Sequence, residues 1–450
     1  MITAPKKTGI LFFPAFDWAI SPDHPEREER LLYTRDQIFE EGLLDIEGII
    51  EYPPRITNYA NLLRAHICVP GPEEITTESH LISAGGCNVI ADAVLNKEIQ
   101  SGFAIVRPPG HHAMRITHGS RGFCNINIES VMVEYIRKKY NIKRIAIVDT
   151  DAHHADGTQD IYYNDPDVLH ISIHQDGRTL FPGTGFIGEA GGPAAYGTTL
   201  NVPVPPHTSD EGLLYIMNNL VLPVLNEFKP EIVINAAGQD NHYSDPLTNM
   251  NISARGYAKL NELLEPDIVV LEGGYSIEGA LPYVNTGIIL ALAGLDYSHV
   301  LEPDLTADKI KQSPKITEDI KKTVDQLLLL FSNRTRIDLN KIFGKGEFYH
   351  RTRRIFYDTD NLLDEQKEQI YRCDNCSGYR LVHSWVNSFN KSNYTTYVVI
   401  IPRDACPGCV KRAEERWQEK QKSGGYDYIF LQDLVNERYE RVPKYQISLP

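Results

Sequence analysis

Between residues 8 and 296, short aliphatic runs alternate with longer amphipathic stretches. Ile10–Phe13, Phe103–Val106, Arg144–Asp149, Val168–His174, Glu231–Ala236 and Asp267–Leu271 are aliphatic at most positions. Runs of that kind predict strands buried on both faces, as in a parallel sheet. Ile128–Tyr140 and Glu211–Phe228 predict helices between them. Strand, helix and strand in that order predict an open α/β fold. After Leu295 the pattern changes. Asp296–Pro314 is polar and proline-bearing, and Thr317–Phe331 is an amphipathic helix able to fold back on the main body. Asp338–Ile370 is charged and aromatic without clear periodicity. Arg380–Phe389 and Thr395–Ile401 predict two strands joined near Asn390–Asn393, and a charged helix follows around Lys411–Lys422, broken at Ser423-Gly424-Gly425.

With 450 residues, 42% hydrophobic and 23% charged, the chain has the composition of a globular protein and the length of two or three domains at roughly 100–200 residues each. No apolar run nears the ~20 residues that span a bilayer, so no membrane partner is expected. The N-terminal stretch carries Pro14 and Asp17 and no small-residue cleavage site, which predicts a first strand, not a signal peptide, and a cytoplasmic protein. The net charge of −15 argues against a nucleic-acid partner, which needs a basic face. That charge is uneven: residues 341–450 hold 18 basic and 15 acidic side chains of the 45 and 60 in the whole chain. The step places a boundary near 335, dividing the chain into 1–335 and 336–450.

In open α/β sheets, ligands bind beyond the carboxyl ends of the strands. Four such ends carry polar clusters: Pro108-Pro109-Gly110-His111-His112, Asp149-Thr150-Asp151-Ala152-His153-His154-Ala155-Asp156, Gly238-Gln239-Asp240-Asn241-His242 and Glu272-Gly273-Gly274-Tyr275. Asp151 and His153 alternate along an extended backbone and therefore share a side. With Asp240 from another loop they make a three-ligand metal site with an open position, suited to catalytic zinc and also to ferrous iron. His111 or His112 can act as general base, with Asp149 and Asp156 available to hold the imidazole tautomers. Tyr275 follows two glycines and can donate a hydrogen bond to a polarised carbonyl oxygen.

These strings resemble the histone deacetylase family, within it the class II and bacterial deacetylase-like members. The matching segments are RPPGHHA at 107–113, GFC at 122–124, DTDAHHADGT at 149–158, FPGTG at 181–185, DNHYSDPL at 240–247 and LEGGY at 271–275, with HPEREER at 24–30 similar to the family's N-terminal region. They span about residues 8–296. The resemblance implies an arginase-like three-layer α/β/α fold and zinc-dependent removal of acyl groups from amines. It implies zinc on Asp151, His153 and Asp240, with His112 the general base of the pair His111 and His112. Asp149 and Asp156 would orient that pair, and Tyr275 would stabilise the oxyanion. Gly122, Phe123 and Phe181 would wall a channel for a lysine-like stem. A structural potassium is implied near Asp149, Asp151, His153 and Ser172, and Arg30 would line an internal cavity for acetate exit.

Departures from the family bear on substrate choice. Gln239 stands where the family often has Phe, and Asn125-Ile126-Asn127-Ile128 follows GFC in place of a Phe-Asn-Asn pattern. Leu247 lies where polyamine-selective relatives place an acidic gatekeeper, which lowers the expectation of an acetylpolyamine substrate. A two-manganese ureohydrolase of the same fold needs a further carboxylate, yet the position two after Asp240 is His242. The expected substrate is therefore an acyl-lysine peptide or a small acyl-amine. Acetylpolyamine hydrolysis and a silent acyl-binding scaffold are the alternatives, and the intact residue set argues against the scaffold.

Of seven cysteines, Cys68, Cys87 and Cys124 are scattered. Cys373-Asp-Asn-Cys376 and Cys406-Pro-Gly-Cys409 are two CxxC pairs separated by 29 residues, the outline of a zinc ribbon with a structural zinc on four thiolates. In a small segment with little core, the metal would supply folding energy. Free thiols or redox pairs are the other reading. The module's role is left open between packing on the main body, contact with another copy of the chain in a homo-oligomer, and protein recruitment.

Overall fold

The structure, a computed structural model, describes residues 2–389 and 392–443. Its strands are β1 (Thr3–Phe13), β2 (Glu47–Tyr52), β3 (Ile67–Cys68), β4 (Ser101–Val106), β5 (Ile116–Thr117), β6 (Ile145–Asp149), β7 (Val168–Gln175), β8 (Thr199–Val204), β9 (Ile232–Ala237), β10 (Ile268–Leu271), β11 (Phe348–Tyr357), β12 (Leu362–Tyr371), β13 (Arg380–Ser388), β14 (Tyr394–Ile401), β15 (Tyr428–Asp433) and β16 (Arg438–Pro443). Eight of them form a sheet in the order β2-β1-β4-β10-β9-β6-β7-β8, parallel at every junction.

Alternation along each central strand explains the layers, because successive side chains leave a strand on opposite faces. Phe103, Ile105, Ala146 and Val148 enter one core with Tyr257 and Leu260 of helix Ala254–Leu264 and Val284 and Ile288 of helix Leu281–Ala293. Ala104, Val106, Ile145 and Ile147 enter the other, against helices Glu78–Leu95 and Ile128–Tyr140. Apolar burial on both sides accounts for the near-continuous hydrophobic runs, and the architecture is the expected three-layer α/β/α. Helix Pro314–Asn333 returns to the first core through Ile320, Val324, Leu327 and Phe331.

The C-terminal part is larger than its cysteine pattern suggests. It is a six-stranded mixed sheet, β11-β12-β13-β14-β15-β16, antiparallel except between β14 and β15. Helix Pro407–Ser423 lies against it and buries Trp417 among Leu381, Val399 and Leu431. The expectation of a segment with little core is thereby corrected. The predicted strands at 380–389 and 395–401 form, but the turn between them includes Asn390 and Lys391, which lie outside the described residues. Asp338–Ile370, without legible periodicity, contains a short helix (Leu339–Phe343) and most of the β11–β12 hairpin.

This second sheet is seated on the first body by two apolar patches. Ile67, Val69 and Ile116 meet Val382, Val398, Ile400 and Phe430, and Met114 meets Ile355, Tyr357, Leu362 and Val386. An ionic knot lies beside them. Asp160 of helix Asp156–Tyr162 accepts from Arg353 at 2.5 Å and lies 3.3 and 3.4 Å from Arg351 and Arg380, while Glu368 holds the same Arg351 and Arg380 at 2.6 and 2.5 Å. Among the described residues no helix is long and apolar enough to cross a membrane.

Candidate active site and metal centres

Five neighbouring strands, β4, β10, β9, β6 and β7, point their carboxyl ends the same way, so the loops that follow them converge. The ligand atoms of Asp151, His153 and Asp240 lie within 4.8 Å of one another. His153 Nδ1 is 2.9 Å from Asp240 and 3.1 Å from Asp151. Backbone amides set the carboxylates: Gly273 N–H donates to Asp151 Oδ2 and Ala152 N–H to Asp240 Oδ1, each at 2.8 Å. Glycines make room for this cradle. A Cβ on Gly273 would fall 2.4 Å from Asp240 and 2.6 Å from Asp151, and one on Gly238 would fall 1.9 Å from Asp151.

Two fully buried carboxylates side by side call for a cation. Their field shows in His153: burial opposes its protonation, yet Asp240 and Asp151 hold it up to about 10. Asp240 itself is raised, by burial and then by the charge of Asp151. The donor set of two oxygens and one nitrogen fits a divalent metal with an open coordination position.

His111 and His112 adjoin the cradle, their rings 4.2 Å apart. His111 Nδ1 is 3.1 Å from Asp149 and His112 Nδ1 is 2.8 Å from Asp156. The two rings differ electrostatically. Burial disfavours charge on both, but Asp151 and Asp149 push His111 well above the ordinary histidine range. Burial and the neighbouring His111 push His112 down to about 3, with Asp156 opposing. Tyr275 is buried, which raises its hydroxyl well above the usual tyrosine range and keeps it a proton donor. Its backbone N–H donates to Asp245 at 2.8 Å, and the Arg30 guanidinium lies 4.9 Å from its ring centroid.

A cavity of about 210 Å³ leads to these groups, lined by Pro109, His111, His112, Gly122, Phe123, His153, Leu180, Phe181, Leu247, Tyr275 and Asp358. Phe181 packs edge-on against His112 at 5.1 Å, and Phe123 against Tyr275 at 5.4 Å. Gly122 has a φ of +49°, and a Cβ there would strike the His112 ring at 2.4 Å. Ser172, singled out for potassium, is buried within β7 with Oγ 2.9 Å from His174 Nδ1. Arg30 is wholly buried, paired with Glu26 at 2.7 Å, and donates to the carbonyls of Gly274 and Glu272.

Several participants escaped the sequence reading. Glu272, inside a quoted motif, accepts the Gly110 and His111 N–H groups at 2.7 and 3.0 Å and so fixes the histidine loop. Arg121, beside the quoted Gly122, holds Asp156. Asp358 comes from the second sheet, and nothing local marks it.

The four clustered cysteines also converge, their sulfurs within 4.8 Å of one another. Cys373 and Cys406 sulfurs are 3.9 Å apart, close to the ~3.8 Å expected of sulfurs tetrahedral about one zinc at about 2.3 Å. Gly378 N–H donates to Cys376 Sγ at 3.3 Å and Asn375 N–H to Cys373 Sγ at 3.5 Å. The Cys409 N–H, first among the groups around it, draws the Cys406 thiol down to about 7. Cys68, Cys87 and Cys124 are buried and unpaired.

Comparison with known proteins agrees with this geometry. The pattern of the histone deacetylase domain matches residues 70–290. A probable deacetylase of Archaeoglobus fulgidus is 43% identical over 325 residues, which is 66% of this chain and 89% of that one. The acetoin utilization protein AcuC of Bacillus subtilis is 37% identical over 340 residues, 68% of this chain and 87% of that protein. The crystal structure of the HDA15 HD domain matches the fold with a TM-score of 0.63 at 24% identity, covering 76% of this chain and 99% of that domain. The chain belongs to the histone deacetylase family.

Proposed function

We propose that the protein is a metal-dependent deacetylase that hydrolyses the amide of an acyl-lysine or a related acyl-amine. One observation carries this reading: Asp151, His153 and Asp240 converge, and the cavity that His153 lines is also lined by His111, His112 and Tyr275. Zinc on those three ligands is the favoured metal, with ferrous iron the other candidate. When bound, the metal supplies Lewis-acid polarisation of an acyl carbonyl and acidifies water beside it.

The chain's own groups divide the remaining work. The aromatic walls Phe123 and Phe181 accept an aliphatic stem and exclude water from it. Tyr275 donates its hydroxyl proton in a hydrogen bond to the carbonyl oxygen as negative charge develops there. His112, its Nδ1 held by Asp156, presents Nε2 as the acceptor for the proton of the attacking water. The departing amine receives a proton from the histidine pair. Asp149 holds His111 in register with them. A potassium ion near Asp149, Asp151, His153 and Ser172 would stiffen the loop bearing the ligands.

The four cysteines would hold a structural zinc, a closed site with no catalytic position. Residues 1–335 would then form the catalytic unit and 336–450 the appended one. We place the protein in the cytoplasm, where clustered thiols stay reduced and able to bind metal. The test is acetate release from an acetyl-lysine peptide by zinc- or iron-loaded protein, with Asp240→Ala as control. Turnover abolished in the variant supports the reading. A loaded wild-type protein inert toward acetyl-lysine and longer acyl-lysine peptides overturns it.

A further inference from the structure

The second sheet reaches the catalytic cavity. The turn between β11 and β12 carries Asp358, which lines the cavity opposite Leu247 in composition: it is the one carboxylate among the lining residues, set among Leu180, Phe181, Phe123 and Leu247. Its place is fixed from both ends of the turn. Asp358 Oδ1 accepts the Gly122 N–H at 2.8 Å, Asp360 Oδ2 accepts the Ser120 N–H at 2.7 Å, and the Phe356 carbonyl accepts from the Arg121 guanidinium. Three successive residues, the last of them in the cavity wall, are thus held by three alternate residues at the end of β11 and in the turn that follows.

That anchoring uses only one carboxylate oxygen. Among the described residues, Oδ2 of Asp358 accepts no hydrogen bond and the group has no cationic partner. The cations nearby are otherwise committed. Arg121 is bound to Asp156 and to the Phe356 carbonyl. His24, which feels the Asp358 charge, is pushed below the ordinary histidine range by burial, and its Nδ1 already accepts the Glu26 N–H. A half-buried carboxylate beside apolar walls acts across a medium of low effective dielectric, so its charge is felt by whatever enters.

We propose that Asp358 is a specificity-determining residue, whose free carboxylate oxygen selects acyl-amines that bear a positive charge beside the acylated chain. An acetyl-lysine flanked by a basic residue is such a substrate. The inference rests on the deacetylase reading and adds the charge of the substrate to it. It also gives the second sheet a place in the active site: the sheet supplies a wall residue that the α/β body lacks, since position 247 is leucine.

Asp358→Asn is the discriminating variant, because an amide oxygen keeps the Gly122 contact and removes only the charge. The metal-loaded enzyme is assayed on three acetyl-lysine pentapeptides identical except for a neighbouring Lys, Gln or Glu. In the wild type, kcat/KM falls in the order Lys, Gln, Glu. In the variant, the Lys-to-Glu ratio shrinks about fivefold, the scale of one partly exposed charge pair. A parallel measurement needs no turnover: calorimetric affinities of the same peptides for His112→Ala protein with and without Asp358→Asn show the same compression. Equal handling of the three peptides by the wild type, or an unchanged ratio in the variant, overturns the proposal and leaves the deacetylase reading standing. Peptides bound with charge discrimination but never hydrolysed by the wild type would overturn the deacetylase reading alone.

Discussion

Arg121 holds Asp156 from the side opposite His112: its Nη2 stands 2.5 Å from Asp156 Oδ2, while Oδ1 of the same carboxylate is 2.8 Å from His112 Nδ1. The carboxylate is thereby clamped between a permanent cation and the imidazole it orients. Substituting Arg121 by Gln frees that carboxylate to turn without touching the cavity floor. The expected result is a fall in kcat of about tenfold or more with KM nearly unchanged, in line with losses seen when an orienting partner is removed. Steady-state kinetics on an acetyl-lysine peptide decides it. A rise in KM at constant kcat would instead make Arg121 a substrate-binding group.

Tyr275 is held by its backbone and by its ring, through Asp245 and Arg30, and, among the described residues, not through its hydroxyl. Tyr275→Phe therefore keeps the ring in place and removes one donor. The kcat should drop by about 10²–10³-fold, the usual cost of a lost oxyanion donor, while the metal content measured by atomic emission stays the same. Loss of metal along with activity would mean that Tyr275 supports the cradle itself.

How legible this molecule is depends on what kind of residue is buried. The parallel sheet announces itself because its strands are apolar on both faces, and the ligand loops because Asp151, His153 and Asp240 follow those strands directly. The β11–β12 hairpin hides for the opposite reason. Along β12 the buried positions are Leu362, Asp364, Gln366, Glu368 and Ile370, so alternation is present but three of its five inward residues are polar. They are satisfied by distant groups: Glu368 by Arg351 and Arg380, Asp364 by Ser384 and His118, Gln366 by Arg353. A hydrophobicity pattern cannot register burial of that sort. Asp358 is hidden likewise, since its role arises only when residues 236 positions apart meet at Gly122. The cysteine pairs were legible from spacing alone, but the core beneath them, centred on Trp417, was not.

The four-cysteine site lies at the opposite end of the second sheet from the β11–β12 turn, since β12 begins after that turn at Leu362 and ends before Cys373 at Tyr371. Cys376→Ser should leave one zinc fewer per chain and lower the melting temperature of the second sheet. Far-ultraviolet circular dichroism should keep most of its signal, because Trp417, Leu381, Val399 and Leu431 retain a core of their own. Turnover should change little, because the groups that hold residues 120–122 lie at the other end of that sheet. A variant with full zinc content would show that these sulfurs do not share an ion.

Acid should part the second sheet from the α/β body before it unfolds the latter. Asp160 and Glu368 are buried, which alone would raise them, but Arg353, Arg380 and Arg351 outweigh burial and hold both below the ordinary carboxylate range. A carboxylate depressed in the folded state contributes stability that is whole above its unfolded pKa, about 4, and is lost as pH falls through the folded value. Stability should thus be flat in this respect from pH 7 to about 5 and decline below about 4. Asp160→Asn leaves buried Arg380 and part-buried Arg351 and Arg353 short of a partner and should cost about 3–5 kcal/mol at neutral pH, while flattening the acid limb. Thermal melts from pH 3 to 7 on both proteins test this; an acid limb identical in the variant would place the titrating groups elsewhere.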